Sequence, residues 1–122
     1  MHKILIVDDE RVITSTLAII FANAGYDARA ASSAEEALEL IADWRPDLAF
    51  LDVILPKMNG IELAILLRVK HPNCRIALFS GQAATTDLLA AATALGYTFD
   101  IVAKPVHPET LLNLAAQLGR AV

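Results

Sequence analysis

The sequence predicts an α/β fold in which helices cover both faces of a doubly wound parallel sheet. Short aliphatic runs alternate five times with longer stretches whose apolar residues recur at helical spacing. Most of these short runs are apolar almost throughout, as expected for strands that are buried on both faces. With 122 residues, the chain has the length of one domain, which we expect to span residues 1–122.

The predicted strands and the first helix are clear from the apolar pattern. The strands comprise residues 3–7, 26–31, 48–52, 75–79 and 99–103. The first helix follows an acidic tripeptide and ends at Gly25, which is a typical C-terminal glycine. Its expected buried face consists of Ile13, Leu17, Ile20, Phe21 and Ala24.

The later helices carry recognisable start signals. Ser33 precedes a glutamate by three residues, which predicts a capping box at the second helix. The third helix is predicted over residues 61–70, and Thr85 or Thr86 can cap the fourth. Pro108 suits the first position of the fifth helix, because proline has no backbone N–H to lose there.

Composition excludes several classes of function. The net charge is -4 and the ten basic residues form no cluster, so we expect no direct contact with nucleic acid. No apolar run approaches the roughly 18 residues of a membrane span, and the start of the chain lacks a signal-peptide pattern. The single cysteine, Cys74, cannot form an internal disulfide. A cytoplasmic protein without a membrane partner is the expectation.

Polar residues follow four of the five predicted strands. Asp8 and Asp9 come after the first, Asp52 ends the third, and Ser80 and Lys104 follow the fourth and fifth. The carboxyl ends of parallel strands share one edge of the sheet, so these five side chains are expected to converge. The sequence therefore predicts a functional site at this edge.

The chemistry of this set points to phosphate. Three neighbouring carboxylates repel one another, and a hard divalent cation such as Mg²⁺ offsets that repulsion through oxygen ligands. Asp9, helped by Asp8, would hold Mg²⁺, and Asp52 would be the nucleophile that forms an aspartyl phosphate. Lys104 and the Ser80 hydroxyl would each take a phosphoryl oxygen.

Four motifs then carry a family resemblance that spans essentially the whole chain. They are Ile6-Val7-Asp8-Asp9-Glu10, Phe50-Leu51-Asp52-Val53-Ile54-Leu55-Pro56 with Gly60, Phe79-Ser80-Gly81, and Ala103-Lys104-Pro105. In this order and spacing they resemble the receiver domain of bacterial two-component response regulators. The resemblance implies a (βα)5 flavodoxin-like three-layer sandwich with strand order 2-1-3-4-5.

The resemblance also implies the role of each acidic residue. Asp52 matches the phosphoacceptor, which takes a phosphoryl group from the phosphohistidine of a histidine kinase. Asp8 and Asp9 match the acidic pair of the Mg²⁺ site, with Asp9 as a direct ligand. Asp52 and the backbone carbonyl of Ile54 would complete the protein ligands.

The remaining matched positions concern the switch. Ser80 matches the switch hydroxyl and Lys104 the family's lysine, which the resemblance joins to Pro105 by a cis peptide bond. Receivers commonly have Tyr or Phe at the position of Ile101, with a ring that turns inward when the switch hydroxyl moves. Isoleucine cannot do this in the same way, so signalling would depend on Ser80 and a loop shift.

The resemblance implies partners and an output. The chain would exchange a phosphoryl group with a histidine kinase or phosphotransfer protein and act on a downstream effector protein or domain. A homodimer through the fourth helix, fifth strand and fifth helix is a further expectation. Such a domain catalyses its own phosphorylation and dephosphorylation but is not a turnover enzyme.

Three alternatives compete with this interpretation. A phosphatase of haloacid-dehalogenase type would require an acid two residues after the nucleophile, where this chain has Ile54. A nucleotide-binding flavodoxin-like protein would require a glycine-rich or hydroxyl-rich loop after the first strand, where this chain has acids. A pseudo-receiver that only binds partners would not need the intact set of Asp8, Asp9, Asp52 and Lys104.

Overall fold

Five parallel strands form one sheet with helices between them, and the strand order 2-1-3-4-5 implied by the resemblance is confirmed. The computed structural model describes residues 2–81 and 85–120. The strands are β1 (Lys3–Val7), β2 (Asp27–Ala31), β3 (Leu48–Asp52), β4 (Arg75–Ser80) and β5 (Asp100–Ala103). The helices are α1 (Arg11–Asn23), α2 (Ala34–Leu40), α3 (Gly60–Lys70), α4 (Thr85–Ala94) and α5 (Pro108–Ala116), and a 3₁₀ turn follows at Gln117–Arg120.

Two apolar cores lie on opposite faces of the sheet and make the molecule a three-layer sandwich. Helices α1 and α5 pack on one face, and α2, α3 and α4 pack on the other. On the first face the rings of Phe21, Phe50 and Phe79 stack in a row, with centroid separations of 5.7 and 5.8 Å. Burial of each such side chain contributes about 1.5–3 kcal/mol, so this row anchors α1 to the central strands.

The predicted buried face of α1 is largely correct. Leu17 and Phe21 are buried, whereas Ile13 and Ile20 are only partly covered. Ala24 is exposed because the helix ends at Asn23. The buried side of the helix runs through Thr14, Leu17 and Phe21, and Thr14 was not predicted.

Helix starts follow local hydrogen bonds. The Ser33 hydroxyl accepts the N–H of Glu36 at 3.1 Å, as the capping box predicted, while the Glu36 carboxylate accepts a hydrogen bond from the Ser32 hydroxyl at 2.9 Å. The Asn59 side chain accepts a backbone N–H at 2.9 Å, and α3 consequently starts at Gly60 rather than one residue later. Pattern alone placed this boundary within one residue.

Two strands begin one residue later than predicted. The N–H of Tyr26 donates to the Phe21 carbonyl at 3.0 Å and so closes the end of α1 instead of joining the sheet. β5 likewise begins at Asp100 rather than at Phe99. Pro108 is the first residue of α5, as predicted. The side chains of Thr85 and Thr86, the predicted caps of α4, lie outside the described part of the structure.

The strand register brings the predicted site residues to one edge. Val7 is level with Leu51, the residue before Asp52, and Ser80 is level with Ala103, the residue before Lys104. The sheet's carboxyl edge therefore carries the polar residues that follow β1, β3, β4 and β5. Within residues 2–81 and 85–120, none of the helices is long and apolar enough to cross a membrane.

Candidate functional site

Asp52 is a buried carboxylate at the end of the central strand β3, with 4% of its surface exposed. Its Oδ1 accepts the N–H of Ile54 at 3.2 Å, and its Oδ2 lies 2.9 Å from Nζ of Lys104. A buried charge requires such partners, because desolvation strongly disfavours an isolated carboxylate. The two oxygens thus have different neighbours, one a backbone amide and the other an ammonium group.

Lys104 lies directly after β5 and reaches across to β3. Its backbone N–H donates to the Ser80 carbonyl at 3.1 Å, and its Nζ also lies 3.8 Å from Oδ2 of Asp8. Desolvation, the largest single influence, lowers the pKa of Lys104, but the hydrogen bond to Asp52 and the charges of Asp52, Asp8 and Glu10 together raise it. The ammonium group is therefore charged at neutral pH. The Lys104–Pro105 peptide bond is cis.

Asp8 is the most buried acid at this edge, with 1% of its surface exposed. Burial raises its pKa from 3.8 to about 6, although the N–H of Glu10, which donates to Oδ1 at 3.0 Å, opposes that shift. The charge of Asp52 raises the pKa further and that of Lys104 lowers it. The hydrogen bond from Glu10 and the charge of Lys104 therefore do not fully offset the desolvation cost of ionised Asp8.

The three acids form a compact oxygen cluster. Asp8, Asp9 and Asp52 each offer one carboxylate oxygen, and these oxygens lie within 4.8 Å of one another. Asp9 is exposed, so the cluster is open to solvent on one side. Hard oxygen donors with room for water are the set that Mg²⁺ prefers, and the incomplete compensation of Asp8 favours a cation here. The residues present therefore fit a divalent cation.

The loop after β3 folds back onto the end of that strand. Gly60 donates its N–H to the Val53 carbonyl at 2.9 Å, and a Cβ added at Gly60 would overlap the carbonyl oxygen of Asp52. Lys57, within the loop, has a φ of 64°, which is uncommon for a residue other than glycine. The sequence marked Gly60 as part of a turn, but only the structure shows that it permits this close backbone approach.

The two predicted switch residues lie on neighbouring strands. Ser80 is the partly buried last residue of β4, and Ile101 lies on the edge strand β5 with 49% of its surface exposed. Phe99, two residues before Ile101, packs against the core formed with α2, α3 and α4. The aromatic ring nearest to Ile101 in the sequence is therefore held in the core packing.

A cleft of about 330 Å³ opens beside the Asp8–Lys104 pair. Its other walls are Glu10, Ile13, Leu17, Pro105 and Val106. The cleft thus combines apolar walls with charge at one end. It opens between α1 and the loop before α5, with Asp8 and Lys104 at one end.

Two contributors to the site escaped sequence reasoning. One is the N–H of Glu10, which stabilises the ionised form of Asp8, and backbone donors of this kind leave no trace in residue identity. The other is Gly81, which lies against the side chain of Lys104. The signal for Gly81 in the sequence was its place in the motif Phe79-Ser80-Gly81, which does not reveal its proximity to Lys104.

Comparison with known proteins identifies the family to which this arrangement belongs. The family model described as "Response regulator receiver domain" matches residues 4–116. The nitrogen assimilation regulatory protein NtrX of Azorhizobium caulinodans is 37% identical over 113 residues, which cover 91% of this chain and 24% of that protein. The DNA-binding response regulator MtrA of Mycolicibacterium smegmatis is 31% identical over 120 residues, or 98% of this chain and 51% of that protein. The chain thus spans a quarter to a half of the length of these relatives.

Solved structures lead to the same family. A CheY-like receiver domain protein from Methanospirillum hungatei superposes with a TM-score of 0.85 at 29% identity, covering 98% of this chain and 95% of that one. The receiver domain of NtrX from Brucella abortus superposes with a TM-score of 0.80 at 30% identity, covering 98% and 99% of the two chains. Together with the buried acids and the lysine at the sheet edge, these matches show that the chain belongs to the response regulator receiver domain family.

Proposed function

We propose that the chain is a phosphoacceptor switch that takes a phosphoryl group onto Asp52. The observation that carries this proposal is the Lys104 ammonium group, 2.9 Å from Oδ2 of Asp52, in a buried site where two further acids lie within 4.8 Å. The ion pair places a positive charge beside the carboxylate oxygen that would attack phosphorus. The donor would be the phosphohistidine of a histidine kinase or phosphotransfer protein.

The transfer joins an Asp52 oxygen to phosphorus. As that bond forms, the bond between phosphorus and the donor's imidazole nitrogen breaks, and the imidazole takes up a proton. The role of the protein is mainly to position the group and to neutralise its charge. Lys104 would hold one phosphoryl oxygen with its ammonium group, and the Ser80 hydroxyl would hold another.

A cation fits the same site. Asp9, Asp8, Asp52 and the backbone carbonyl of Ile54 would hold Mg²⁺, which, when bound, supplies charge neutralisation for the phosphoryl oxygens. Asp9 is the exposed member of the set and would keep its side of the cation in contact with water. Asp8, whose pKa is raised to about 6 by burial, would gain a second positive neighbour besides Lys104.

The output would be a change in partner binding. Ser80 is the switch residue we propose. Ile101 occupies the position at which receivers commonly have the aromatic ring that turns inward when the switch hydroxyl moves. The partner would be a downstream effector protein or domain, and a homodimer through α4, β5 and α5 is a second route. The net charge of -4, without a basic cluster, supports a role without direct contact to nucleic acid. Family membership supports a cytoplasmic location. It also supports catalysis restricted to the chain's own phosphorylation and dephosphorylation.

The alternatives receive less support from the site. Ile54, 46% exposed, occupies the position at which a haloacid-dehalogenase phosphatase would have its acid. A pseudo-receiver has no use for an ion pair with a buried acid such as Asp52–Lys104, since burying the carboxylate carries a desolvation cost. The intact pair therefore favours a phosphorylatable receiver.

Intact-protein mass spectrometry after incubation with acetyl phosphate tests the proposal. We expect wild type to gain the mass of one phosphoryl group in the presence of Mg²⁺, and we expect no gain with EDTA or in Asp52→Asn. Asp100→Asn is a matched control, because Asp100 also forms an ion pair at 2.9 Å, with Arg75, but its side chain is exposed. Wild type that gains no mass with Mg²⁺, or an Asp52→Asn variant that gains it, would contradict the proposal.

A further inference from the structure

A groove lies where the ends of α2 and α3 come together, at the edge of the sheet opposite to Asp52. It consists of two cavities of about 320 and 230 Å³ that share Lys70 and His71 as lining residues. Helix α3 runs from the loop after Asp52 to Lys70, and its 11 residues span about 16 Å. This α2–α3 groove is therefore separate from the site around Asp52.

The larger cavity of the groove is an apolar slot. Its lining residues are Leu38, Ile41, Ala42, Lys70 and His71. Ala42 is exposed and Leu38 is only partly covered, so the slot is open to solvent. Val69, at the end of α3, is 65% exposed and adds further apolar surface to this helix end. An apolar side chain from a partner would remove part of this surface from water, which is favourable.

The smaller cavity is basic. Arg45 lines it together with Lys70 and His71, and the side chains of Arg45 and Lys70 are exposed. Asp47 is the acid among the described residues that line it, and its Oδ2 already accepts the Lys3 N–H at 2.8 Å. Within the described part of the chain, neither Arg45 nor Lys70 forms an ion pair with an acid. Both cations can therefore bind a carboxylate from outside the chain.

His71 fixes the groove between the two helices. Its Nε2 donates to the Ile41 carbonyl at 3.0 Å, and its backbone N–H donates to the Leu67 carbonyl at 2.8 Å. Carbonyls at the ends of helices carry partial negative charge, which would otherwise face the groove. Because two of them are already bonded to His71, the side chains of Arg45 and Lys70 decide the charge of the rim.

We propose that the α2–α3 groove docks an acidic segment of a partner protein. One aliphatic or aromatic side chain of the segment would fill the slot, and carboxylates beside it would pair with Arg45 and Lys70. Charge complementarity supports this occupant, since a positive rim attracts acidic segments and repels basic ones. The glutamates of α2 are not among the residues that line either cavity. The slot favours a peptide over a nucleic acid, because a phosphate backbone has no apolar side chain to place there.

The capped hexapeptide Glu-Glu-Leu-Phe-Glu-Glu is the probe, titrated into the ¹⁵N-labelled 122-residue chain and followed by NMR. We expect saturable shift changes confined to residues 38–46 and 70–74, with a Kd of about 1 mM or lower at low salt. The affinity should fall as salt is added, because exposed ion pairs are screened. Replacing Leu-Phe by Ser-Ser, or every Glu by Lys, should abolish binding.

Charge reversal at the rim tests the role of the two cations. Arg45→Glu combined with Lys70→Glu should lower the affinity for the acidic peptide about fivefold or more, since two exposed ion pairs become repulsive contacts. Arg11→Glu combined with Lys57→Glu is the matched control, because both residues are exposed, lie at the carboxyl edge and change the net charge equally. The control should bind the peptide within about twofold of wild type.

Several results would overturn the inference. They are an acidic peptide that causes no saturable shifts or shifts elsewhere, a Ser-Ser peptide that binds equally well, and equal losses of affinity in the two double variants. A thymidine hexanucleotide that binds the groove more tightly than the peptide would overturn the choice of a protein partner. None of these results depends on whether Asp52 accepts a phosphoryl group, so this inference and the proposed function can fail separately.

Discussion

The two edges of the sheet carry ion pairs of the same length in opposite surroundings. At the amino edge, Arg75 and Asp100 approach to 2.9 Å with side chains that are 35% and 47% exposed. At the carboxyl edge, Lys104 and Asp52 also approach to 2.9 Å, with side chains that are 30% and 5% exposed, so the two pairs differ in the burial of the acid. Exposed pairs contribute about 0–1 kcal/mol, whereas losing one partner of a buried pair typically costs about 3–5 kcal/mol. Burial rather than distance separates a candidate site from an ordinary surface contact.

The amino edge has an architectural role that the comparison makes clear. Arg75 also donates to the Gln117 side chain at 2.9 Å, and Asp47 accepts the Lys3 N–H at 2.8 Å. These contacts join the starts of strands to one another and to the turn after α5. Arg75 and Asp100 are both solvated by water, so neither charge requires a further charged partner.

The largest difference expected between the two edges is in the rate of phosphorylation. Lys104→Met removes the ammonium group beside Asp52, and loss of one positioned donor at a reacting centre typically costs about 10²–10³ in rate. Arg75→Met is the matched control and should change the rate less than about threefold, since exposed pairs contribute little. Initial rates with acetyl phosphate and Mg²⁺ measure both. Equal losses in the two variants would show that burial does not distinguish the pairs.

The second difference concerns stability without metal. Since burial raises the pKa of Asp8 to about 6, the folded state binds a proton that the unfolded state releases near pH 4, and stability falls as pH rises between these values. Asp8→Asn should therefore stabilise the protein in EDTA at pH 7, by at most about 3 kcal/mol. The gain should be absent below pH 4. Urea unfolding at several pH values measures it, and Asp100→Asn should stay within about 1 kcal/mol at every pH.

A third effect links the same acid to the cation. A proton on Asp8 competes with Mg²⁺, so the affinity should be constant above about pH 7 and fall below pH 6, the region of the raised pKa. Calorimetric titrations across this range give the profile. In Asp8→Asn the affinity should be lower overall, and the part of the decline near pH 6 should disappear. If the pH dependence of Mg²⁺ affinity is the same in Asp8→Asn as in wild type, the group that titrates is not Asp8.

The smallest effect we expect concerns the lifetime of the phosphorylated state. Ile54 is 46% exposed beside Asp52 and presents no polar group to an attacking water molecule. Ile54→Asn supplies one hydrogen bond, worth about 0.5–1.5 kcal/mol, and should speed dephosphorylation roughly two- to tenfold. The decay of the phosphorylated mass after removal of the donor measures this. A wild-type half-life of seconds that the substitution leaves unchanged would contradict the hypothesis that Ile54 slows hydrolysis.

The sequence could predict the sheet and the edge at which its polar residues meet, because apolar periodicity and strand ends depend on residue type. Strand order required the family resemblance, since periodicity does not say which strands are neighbours. Boundaries shifted by one residue where single hydrogen bonds decided them, a backbone bond at Tyr26 and the Asn59 side-chain cap before Gly60. The raised pKa of Asp8 and the space that Gly81 leaves for Lys104 could not be predicted, because both depend on three-dimensional packing.

The most direct test of the central claim is to locate the phosphoryl group. Wild type is phosphorylated with acetyl phosphate and Mg²⁺ and then treated with borohydride, which reduces an aspartyl phosphate to homoserine, and the peptides are sequenced by mass spectrometry. The account predicts homoserine at position 52 alone, with Asp8, Asp9 and the exposed Asp100 unchanged. Homoserine at any of those three positions in place of Asp52 would contradict it.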